Sequence, residues 1–280
     1  MTMTEKTFLP GSNIELCNSN IERGNVRHVV FDFDGTISLI REGWQNIMIP
    51  MGVEFIKETG TDETDEEIKV IVDEFVLRLT GKQTIYQMIA LVDEIEKRGG
   101  KAKEALEYKH IYLDRLWERI KHRVEGLKAG EISVEEFLMP GSYDLLNALK
   151  ERDCTMYLAS GTDEPFVLDE SAVLKVSEYF GKHIYGAQDD YKNFSKKMII
   201  QKILKENNLS GSELITFGDG FVEIEDTKGV GGIAVGVASD EVGLQDVDDW
   251  KRNRLIEAEA DIIIPHFRET EQLIKYLFNE

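Results

Sequence analysis

Short apolar runs alternate with helical patterns along the second half of the chain. One earlier run, His28–Phe31, stops at Asp32, and the later ones lie at 155–159, 184–185, 214–217, 233–237 and 261–264. Residues 143–152, 197–207 and 269–278 instead repeat apolar positions at helical spacing. Short apolar runs of this kind are typical of strands buried in a parallel sheet. The alternation predicts an α/β fold with a Rossmann-like parallel sheet that is covered by helices.

Residues 41–137 carry a different pattern, which predicts helices throughout. Thr64 and Glu67 are spaced as a capping box, a signal for a helix start. The apolar positions that follow have helical spacing: Ile68, Ile71, Phe75 and Leu79. Two more helices are predicted, one at 84–98 before a glycine pair and one at 102–128 before Gly130. The helical block therefore looks like an insertion into the α/β domain after its first strand.

These patterns predict three parts of the chain. Residues 20–40 and 138–280 would form the Rossmann-like core, and residues 41–137 the helical insert. Residues 1–19 would form an N-terminal arm. The stretch 1–27 is polar and weakly patterned, so it predicts either a flexible arm or a short hairpin that ends near Gly24 and Asn25.

Composition narrows the class of protein. The 280 residues are 42% apolar and 31% charged, which suits a globular protein with a sizeable core. The formal net charge of −20 disfavours nucleic acid and anionic membrane surfaces as partners. No apolar run approaches the roughly 20 residues of a membrane span, and the first residues lack a signal-peptide pattern. Two distant cysteines, Cys17 and Cys154, fit a reducing compartment, so we expect a cytoplasmic protein.

Polar residues with a common chemistry follow three of the predicted strands. The first strand leads into Asp32, Phe33, Asp34, Gly35 and Thr36. The second leads into Ser160, Gly161 and Thr162, and the third into Gly218 and Asp219, with Glu223 four residues later; Lys196 begins the preceding helix. Carboxyl ends of parallel strands meet at one edge of a sheet, where ligands gather. Clustered carboxylates can hold Mg²⁺, and a lysine can neutralise a phosphoryl group.

The local sequence around each of these candidate residues also allows a structural explanation or a rival residue. Asp32 and Asp34 could be turn formers, since Asp-Gly is a common turn signal, and Ser160 could cap a helix. Thr162 is a rival hydroxyl for Ser160. The rivals of Lys196 are Lys192 and Lys197, and those of Glu223 are Glu225 and Asp226.

Taken together and in order, the four segments resemble the four motifs of the haloacid dehalogenase superfamily. The stretch 32–36 matches the first motif, DxDGT, and Ser160 matches the second. Lys196 matches the third, and Asp219 with Glu223 matches the fourth. The resemblance covers about residues 26–280. It implies an aspartyl nucleophile and a Mg²⁺ cofactor.

The resemblance also implies a role for each of these residues. Asp32 would attack phosphorus, and Asp34 would be the general acid and base. Mg²⁺ would be held by the carboxylates of Asp32 and Asp219, by the main-chain carbonyl of Asp34, and by Glu223 through water. Ser160, the Gly161 amide and Lys196 would bind the phosphoryl oxygens.

In this superfamily an insert between the first two motifs is a cap over the active site. A helical cap of this length resembles those of phosphoglycolate phosphatases and β-phosphoglucomutases, which act on small phosphorylated metabolites. The loop around Lys82 and Gln83 is a candidate for leaving-group recognition, although a plain turn explains it equally well. Arg41 and Trp44 are further candidates.

The resemblance leaves three functions open. A phosphatase acting on a sugar phosphate or a similar metabolite is preferred. A phosphomutase shares all four motifs, but the β-phosphoglucomutase pattern usually has an apolar residue where this chain has Thr36. A non-catalytic binding protein ranks last, because all expected acids are present. The sequence leaves the substrate and the oligomeric state open.

Overall fold

A seven-stranded, mostly parallel sheet flanked by helices organises the protein in its computed structural model, which describes residues 6–191 and 195–280. The strand order is β1-β7-β6-β5-β2-β3-β4, and only the pairing of β1 with β7 is antiparallel. The strands are β1 Glu15–Leu16, β2 His28–Phe31, β3 Thr155–Asp163, β4 Ile184–Ala187, β5 Leu214–Gly218, β6 Ile233–Val237 and β7 Ile262–Ile264. The predicted α/β class with a Rossmann-like sheet is confirmed.

Eleven α-helices are found in the described residues. Four fall within residues 41–137, the predicted helical insert: α1 Gln45–Lys57, α2 Asp65–Leu79, α3 Thr84–Lys97 and α4 Ala105–Ala129. Seven flank the sheet or connect its strands: α5 Ser142–Lys150, α6 Glu164–Val173, α7 Ser177–Phe180, α8 Lys196–Asn207, α9 Phe221–Lys228, α10 Asp249–Glu257 and α11 Thr270–Phe278. None of the described helices is both long and apolar enough to cross a membrane.

Local signals account for the helix ends of the insert. The side chain of Thr64 accepts a bond from the Glu67 amide at 3.2 Å, and the Glu67 carboxylate accepts one from the Thr64 amide at 2.8 Å. The predicted capping box therefore starts α2. Gly130 ends α4 with φ 71°, a left-handed conformation that favours glycine.

The centre of the sheet is buried on both faces. All four residues of β2 and all five of β5 are buried, and the rings of Phe31 and Phe217 stack with centroids 5.0 Å apart. In register, Phe31 lies beside Leu158 of β3 and Phe217 of β5. This register brings the carboxyl ends of β3, β2 and β5 to one edge of the sheet.

Two predicted elements differ from the structure. Strand β3 was expected to end at Ala159, yet it continues to Asp163, and its pairing with β4 shifts register between Ala159 and Asp163. An irregularity of this kind lets the backbone stay extended past the expected end. A short hairpin is present within residues 1–27, but it ends at Leu16 and not near Gly24: Phe8 pairs antiparallel with Glu15, and the Leu16 amide donates to the Thr7 carbonyl at 2.7 Å. Glu15 and Leu16 also form an edge strand beside β7, and the Gly24 amide donates to the Leu277 carbonyl. Residues 1–5 of the predicted arm lie outside the described part.

Candidate active site

The three strand ends bring the predicted acids together at the sheet edge. Asp32 directly follows β2, and its amide donates to the Phe217 carbonyl of β5 at 2.9 Å. Asp219 directly follows β5. Ser160 lies inside the extended β3, because that strand is longer than predicted. All three residues line one cavity of about 100 Å³ between the sheet and the helical insert.

The first motif turns tightly after Asp32. The Phe33 carbonyl accepts amides of Ile37 and Ser38, both at 2.8 Å, and Gly35 has φ 74°. A Cβ atom on Gly35 would lie 2.4 Å from the Asp219 carboxylate. Glycine is therefore needed there, both for the left-handed backbone and for the close approach of Asp219.

A buried ion network joins Asp32, Lys196 and Glu223. The Lys196 ammonium lies 2.8 Å from Asp32 Oδ1 and 3.1 Å from Glu223 Oε2, and all three side chains are at most 7% exposed. Lys196 is the first residue of α8, whose N-terminus is capped by the Ser195 hydroxyl. Its neighbour Lys197 is exposed, and Lys192 lies outside the described residues. Glu223 is buried, in contrast to its exposed rival Glu225 and its half-buried rival Asp226.

Burial and charge act against each other in this network. Burial raises the pKa of Asp32 well above its usual range, against the lowering effect of the Lys196 ammonium. Burial also acts to raise the pKa of Glu223, but Lys196 and amide hydrogen bonds hold it below its ordinary value. Burial alone would lower the pKa of Lys196, yet the two carboxylates raise it. The lysine is therefore a fixed positive charge beside Asp32.

The carboxylates of Asp32, Asp219 and Glu223 fit a hard divalent cation. One oxygen from each lies within 4.8 Å of the others. Oxygen ligands of this kind suit Mg²⁺, while zinc prefers His and Cys side chains.

Asp34 faces a different set of side chains. Its Oδ2 accepts hydrogen bonds from Thr162 at 2.8 Å and Ser160 at 3.2 Å. The structure thus brings both rival hydroxyls to the site. Arg41 lies 3.8 Å from Asp34 Oδ1 and forms two-pronged hydrogen bonds with Glu170 of α6 at 2.7–3.1 Å. Burial raises the pKa of Glu170, and Arg41 opposes that rise.

The backbone of the loop between α2 and α3 lies close against the backbone of the site at Gly161 and Gly220, as the space around two glycines shows. A Cβ on Gly81 would lie 3.2 Å from Gly220 Cα, and one on Gly161 would lie 3.0 Å from the Lys82 carbonyl. The Lys82 side chain is exposed, and its ammonium lies 5.9 Å from the ring centroid of Tyr86. The Gln83 amide donates to the Tyr191 carbonyl at 3.3 Å, and Gln83 does not line the cavity. Three charged residues of the insert line the cavity, Arg41, Glu42 and Lys82. The neutral residues of the insert that line it are Trp44, Met48, Thr80, Thr84, Gln87 and Tyr112.

Sequence reasoning missed two charged residues at the site. The Lys251 ammonium of α10 lies 3.0 Å from Asp219 Oδ2 and 2.5 Å from Glu241 Oε1. Glu241 follows β6, so the strand-end rule that found the other acids also applied to it. Lys251 lies inside a polar helix and carried no such signal.

The sequence also carried no sign that Arg254, on α10, connects the sheet domain with the insert. Its guanidinium donates to the carbonyls of Leu77 and Arg78, at the C-terminal end of α2. Its guanidinium carbon lies 4.4 Å from the ring centroid of Phe221, which follows Gly220. A cation at a helix C-terminus is favoured by the helix dipole, so this contact holds the loop that follows α2 over the site.

Three solved structures share the fold over nearly the whole chain. A β-phosphoglucomutase from Clostridium difficile has a TM-score of 0.59 at 15% identity, covering 91% of this chain and 97% of its own. A predicted phosphoglycolate phosphatase from Haemophilus somnus has a TM-score of 0.58 at 12% identity, covering 89% and 98%. CbbY from Rhodobacter sphaeroides, as a mutant in complex with xylulose-(1,5)bisphosphate, has a TM-score of 0.54 at 17% identity, covering 87% and 96%.

No curated protein matches the chain. The family model described as haloacid dehalogenase-like hydrolase matches residues 26–228, which include the first, second and third motifs and the Asp219 and Glu223 pair. That match spans well over half of the sequence, and the sheet, the strand-end acids and the buried lysine agree with it. The chain therefore belongs to the haloacid dehalogenase-like hydrolases.

Proposed function

We propose that this protein is a Mg²⁺-dependent phosphatase that cleaves a small phosphorylated metabolite through an aspartyl phosphate on Asp32. The observation that carries the proposal is the setting of Asp32. It is buried, and its Oδ1 lies 2.8 Å from the Lys196 ammonium. One Asp32 oxygen also lies within 4.8 Å of a carboxylate oxygen of Asp219 and of one of Glu223. A carboxylate so placed can act as nucleophile while fixed positive charge neutralises the phosphoryl group.

The reaction would proceed in two balanced steps. In the first, an Asp32 oxygen bonds to phosphorus while the bond to the leaving oxygen breaks, and Asp34 gives that oxygen its proton. In the second, Asp34 takes a proton from water as the water attacks phosphorus, which frees phosphate and restores Asp32. Asp34 Oδ1 is buried and has no hydrogen-bond donor among the described residues, so this atom remains available for proton transfer.

Mg²⁺ would be held by Asp32, Asp219 and Glu223, with the Asp34 main-chain carbonyl implied by the family motif. When bound, it would supply positive charge against the phosphoryl oxygens. Lys196 would bind a phosphoryl oxygen together with the Ser160 hydroxyl and the Gly161 amide. Thr162 donates to Asp34 and would orient its carboxylate.

The covered cavity supports a small substrate. Its volume of about 100 Å³ suits a phosphoryl group with a short leaving group. The insert contributes aromatic and neutral polar side chains, such as Tyr112, Trp44 and Gln87, which suit the apolar and hydroxyl faces of a sugar or polyol. Both cysteines are free thiols, which supports the proposed cytoplasmic location.

A phosphomutase of the β-phosphoglucomutase type is the alternative. Thr36, which favours the phosphatase on sequence grounds, is fully buried and does not line the cavity. Its influence on water in the site would therefore be indirect. The alternative predicts conversion of a sugar 1-phosphate to the 6-phosphate when a bisphosphate is supplied, with little phosphate release.

The deciding experiment is a screen for phosphate release from a panel of phosphorylated metabolites with Mg²⁺ present. The proposal expects turnover of at least one small monophosphate, loss of activity in excess chelator, and recovery on adding Mg²⁺. Full activity in chelator would contradict the metal-dependent mechanism. Isomerisation without phosphate release would support the mutase instead.

A further inference from the structure

Lys251 is a second lysine among the acids of the site, and it is partly buried. Its side chain is 13% exposed and lies between Asp219 Oδ2, at 3.0 Å, and Glu241 Oε1, at 2.5 Å. The other lysine, Lys196, pairs with Asp32 and Glu223 instead. Each of the two lysines thus pairs with two carboxylates. Both partners of Lys196, Asp32 and Glu223, are proposed metal ligands, whereas Asp219 is the one proposed metal ligand that pairs with Lys251.

Two hydrogen bonds from the backbone amides of Asp248 and Lys251 fix the position of this lysine. Asp248 caps α10, and its Oδ1 accepts the Lys251 amide at 2.8 Å. The Asp248 amide in turn donates to the Ala238 carbonyl at 2.8 Å, which closes the loop that carries Glu241 after β6. The Lys251 ammonium and the Glu241 carboxylate are therefore both held near Asp219, one by the first turn of α10 and the other by the loop that precedes this helix.

We propose that Lys251, held by Glu241, is a positioning residue that sets the affinity of the site for its divalent cation. The inference rests on the proposed function, since it takes Asp219 as a metal ligand. With both acids ionised, Asp219, Glu241 and Lys251 carry a net charge of −1. The ammonium binds one oxygen of Asp219 and repels a nearby cation, while Glu241 attracts that cation and fixes the ammonium.

This arrangement gives the two residues opposite effects on metal binding. Lys251→Met makes the net charge of the group more negative, from −1 to −2, so Mg²⁺ should bind on the order of tenfold more tightly. Glu241→Gln brings it to zero, so binding should weaken on the order of tenfold. Lys251→Arg keeps the charge and should stay within about threefold of the unchanged protein. A purely structural role would instead weaken binding in all three variants.

The test is calorimetric titration of the full chain with Mg²⁺ alone at pH 8, together with thermal unfolding with and without Mg²⁺. Lys251→Met should unfold at a lower temperature than the unchanged protein without Mg²⁺, because Asp219 and Glu241 lose their shared cation. Tighter binding should then make its stabilisation by Mg²⁺ larger. Lys275→Met and Glu271→Gln serve as matched controls, since they remove an exposed ion pair on α11 and should leave Mg²⁺ affinity unchanged.

Opposite shifts in the two variants would support the inference. Weaker or unchanged binding by Lys251→Met would overturn it, as would tighter binding by Glu241→Gln; the melting curves show whether each variant is folded. If the unchanged protein binds no Mg²⁺, the proposed metal-dependent function fails as well. If it binds Mg²⁺ and only the shifts disagree, the failure is confined to Lys251.

Discussion

The strand-end edge of the sheet and the helical insert build opposite sides of the same cavity in different ways. On the sheet side, charged residues are buried and paired, as with Asp32 and Lys196 at 2.8 Å. On the insert side, the cavity is lined mainly by neutral side chains and by the backbone of the loop at Gly81, and its charged residues are Arg41, Glu42 and Lys82. The sheet edge is fixed by strand register, whereas the insert is held over it by separate contacts such as that of Arg254 with the end of α2.

This difference suggests that the sheet edge performs the chemistry and the insert recognises the substrate, which variants can test. Buried, fixed charges suit phosphoryl transfer, which is the same for every phosphate monoester. Side chains on a separately held unit suit recognition of the leaving group, which differs between substrates. Changes at the sheet edge should therefore affect all substrates alike, and changes in the insert should affect the preferred substrate most.

The largest effect is expected from removing the nucleophile. Asp32→Asn should lower kcat by roughly a thousandfold or more on every substrate, because an amide is a poor nucleophile toward phosphorus. The measurement is phosphate release from the preferred substrate and from an aryl phosphate. Asp62→Asn, an exposed position, is the control and should match the unchanged protein. Nearly normal activity in Asp32→Asn would show that Asp32 is not the nucleophile.

A smaller effect is expected where the two sides are joined. Arg254→Ala removes the cation from the end of α2, so the loop at Gly81 should be held less firmly, and kcat/KM for the preferred substrate should fall on the order of tenfold, mainly through KM. Steady-state kinetics measure this split. Arg252→Ala on the same helix is the matched control, since Arg252 pairs with Glu15 at the far edge of the sheet. Equal losses in both variants would mean that α10 stability, and not loop position, matters.

A still smaller and more selective effect is expected inside the insert. Gln87→Met keeps the size of a buried cavity-lining side chain but removes its amide, so efficiency on the preferred substrate should fall about fivefold. An aryl phosphate should be used as before. The exposed Gln201→Met provides the control. Matching losses on both substrates would argue against the separation of recognition from chemistry.

The smallest effect is expected at Lys82, although the sequence singles it out. Its ammonium is exposed and lies over the Tyr86 ring, a contact of about 0.5–1 kcal/mol at an exposed site. Lys82→Ala should therefore change kcat/KM by no more than about threefold on either substrate. Paired kinetics on the two substrates measure it, with exposed Lys197→Ala as control. A large loss confined to the preferred substrate would show that the Lys82 ammonium contacts the leaving group.

Strand-end signals predicted much of the candidate site. Asp32, Asp34, Asp219 and Glu223 follow apolar strands or begin the next helix, so local pattern and the geometry of parallel sheets place them at one edge. The same rule found Ser160 although β3 continues past it, because the irregular stretch of β3 stays at that edge. Residues on helices and loops gave no comparable signal, as Lys251 and Arg254 show.

By itself, the sequence determined the α/β class, the helical insert and the strand-end acids, because each depends on periodicity or on neighbours a few residues apart. Only the tertiary structure decided which charges meet. Arg41 pairs with Glu170 across 129 residues, Lys251 with Asp219 across 32, and Arg254 reaches Leu77 across 177. Such pairs depend on how helices and loops pack around the sheet, and the local pattern of charged residues on a polar helix does not specify which distant carboxylate or carbonyl it will face.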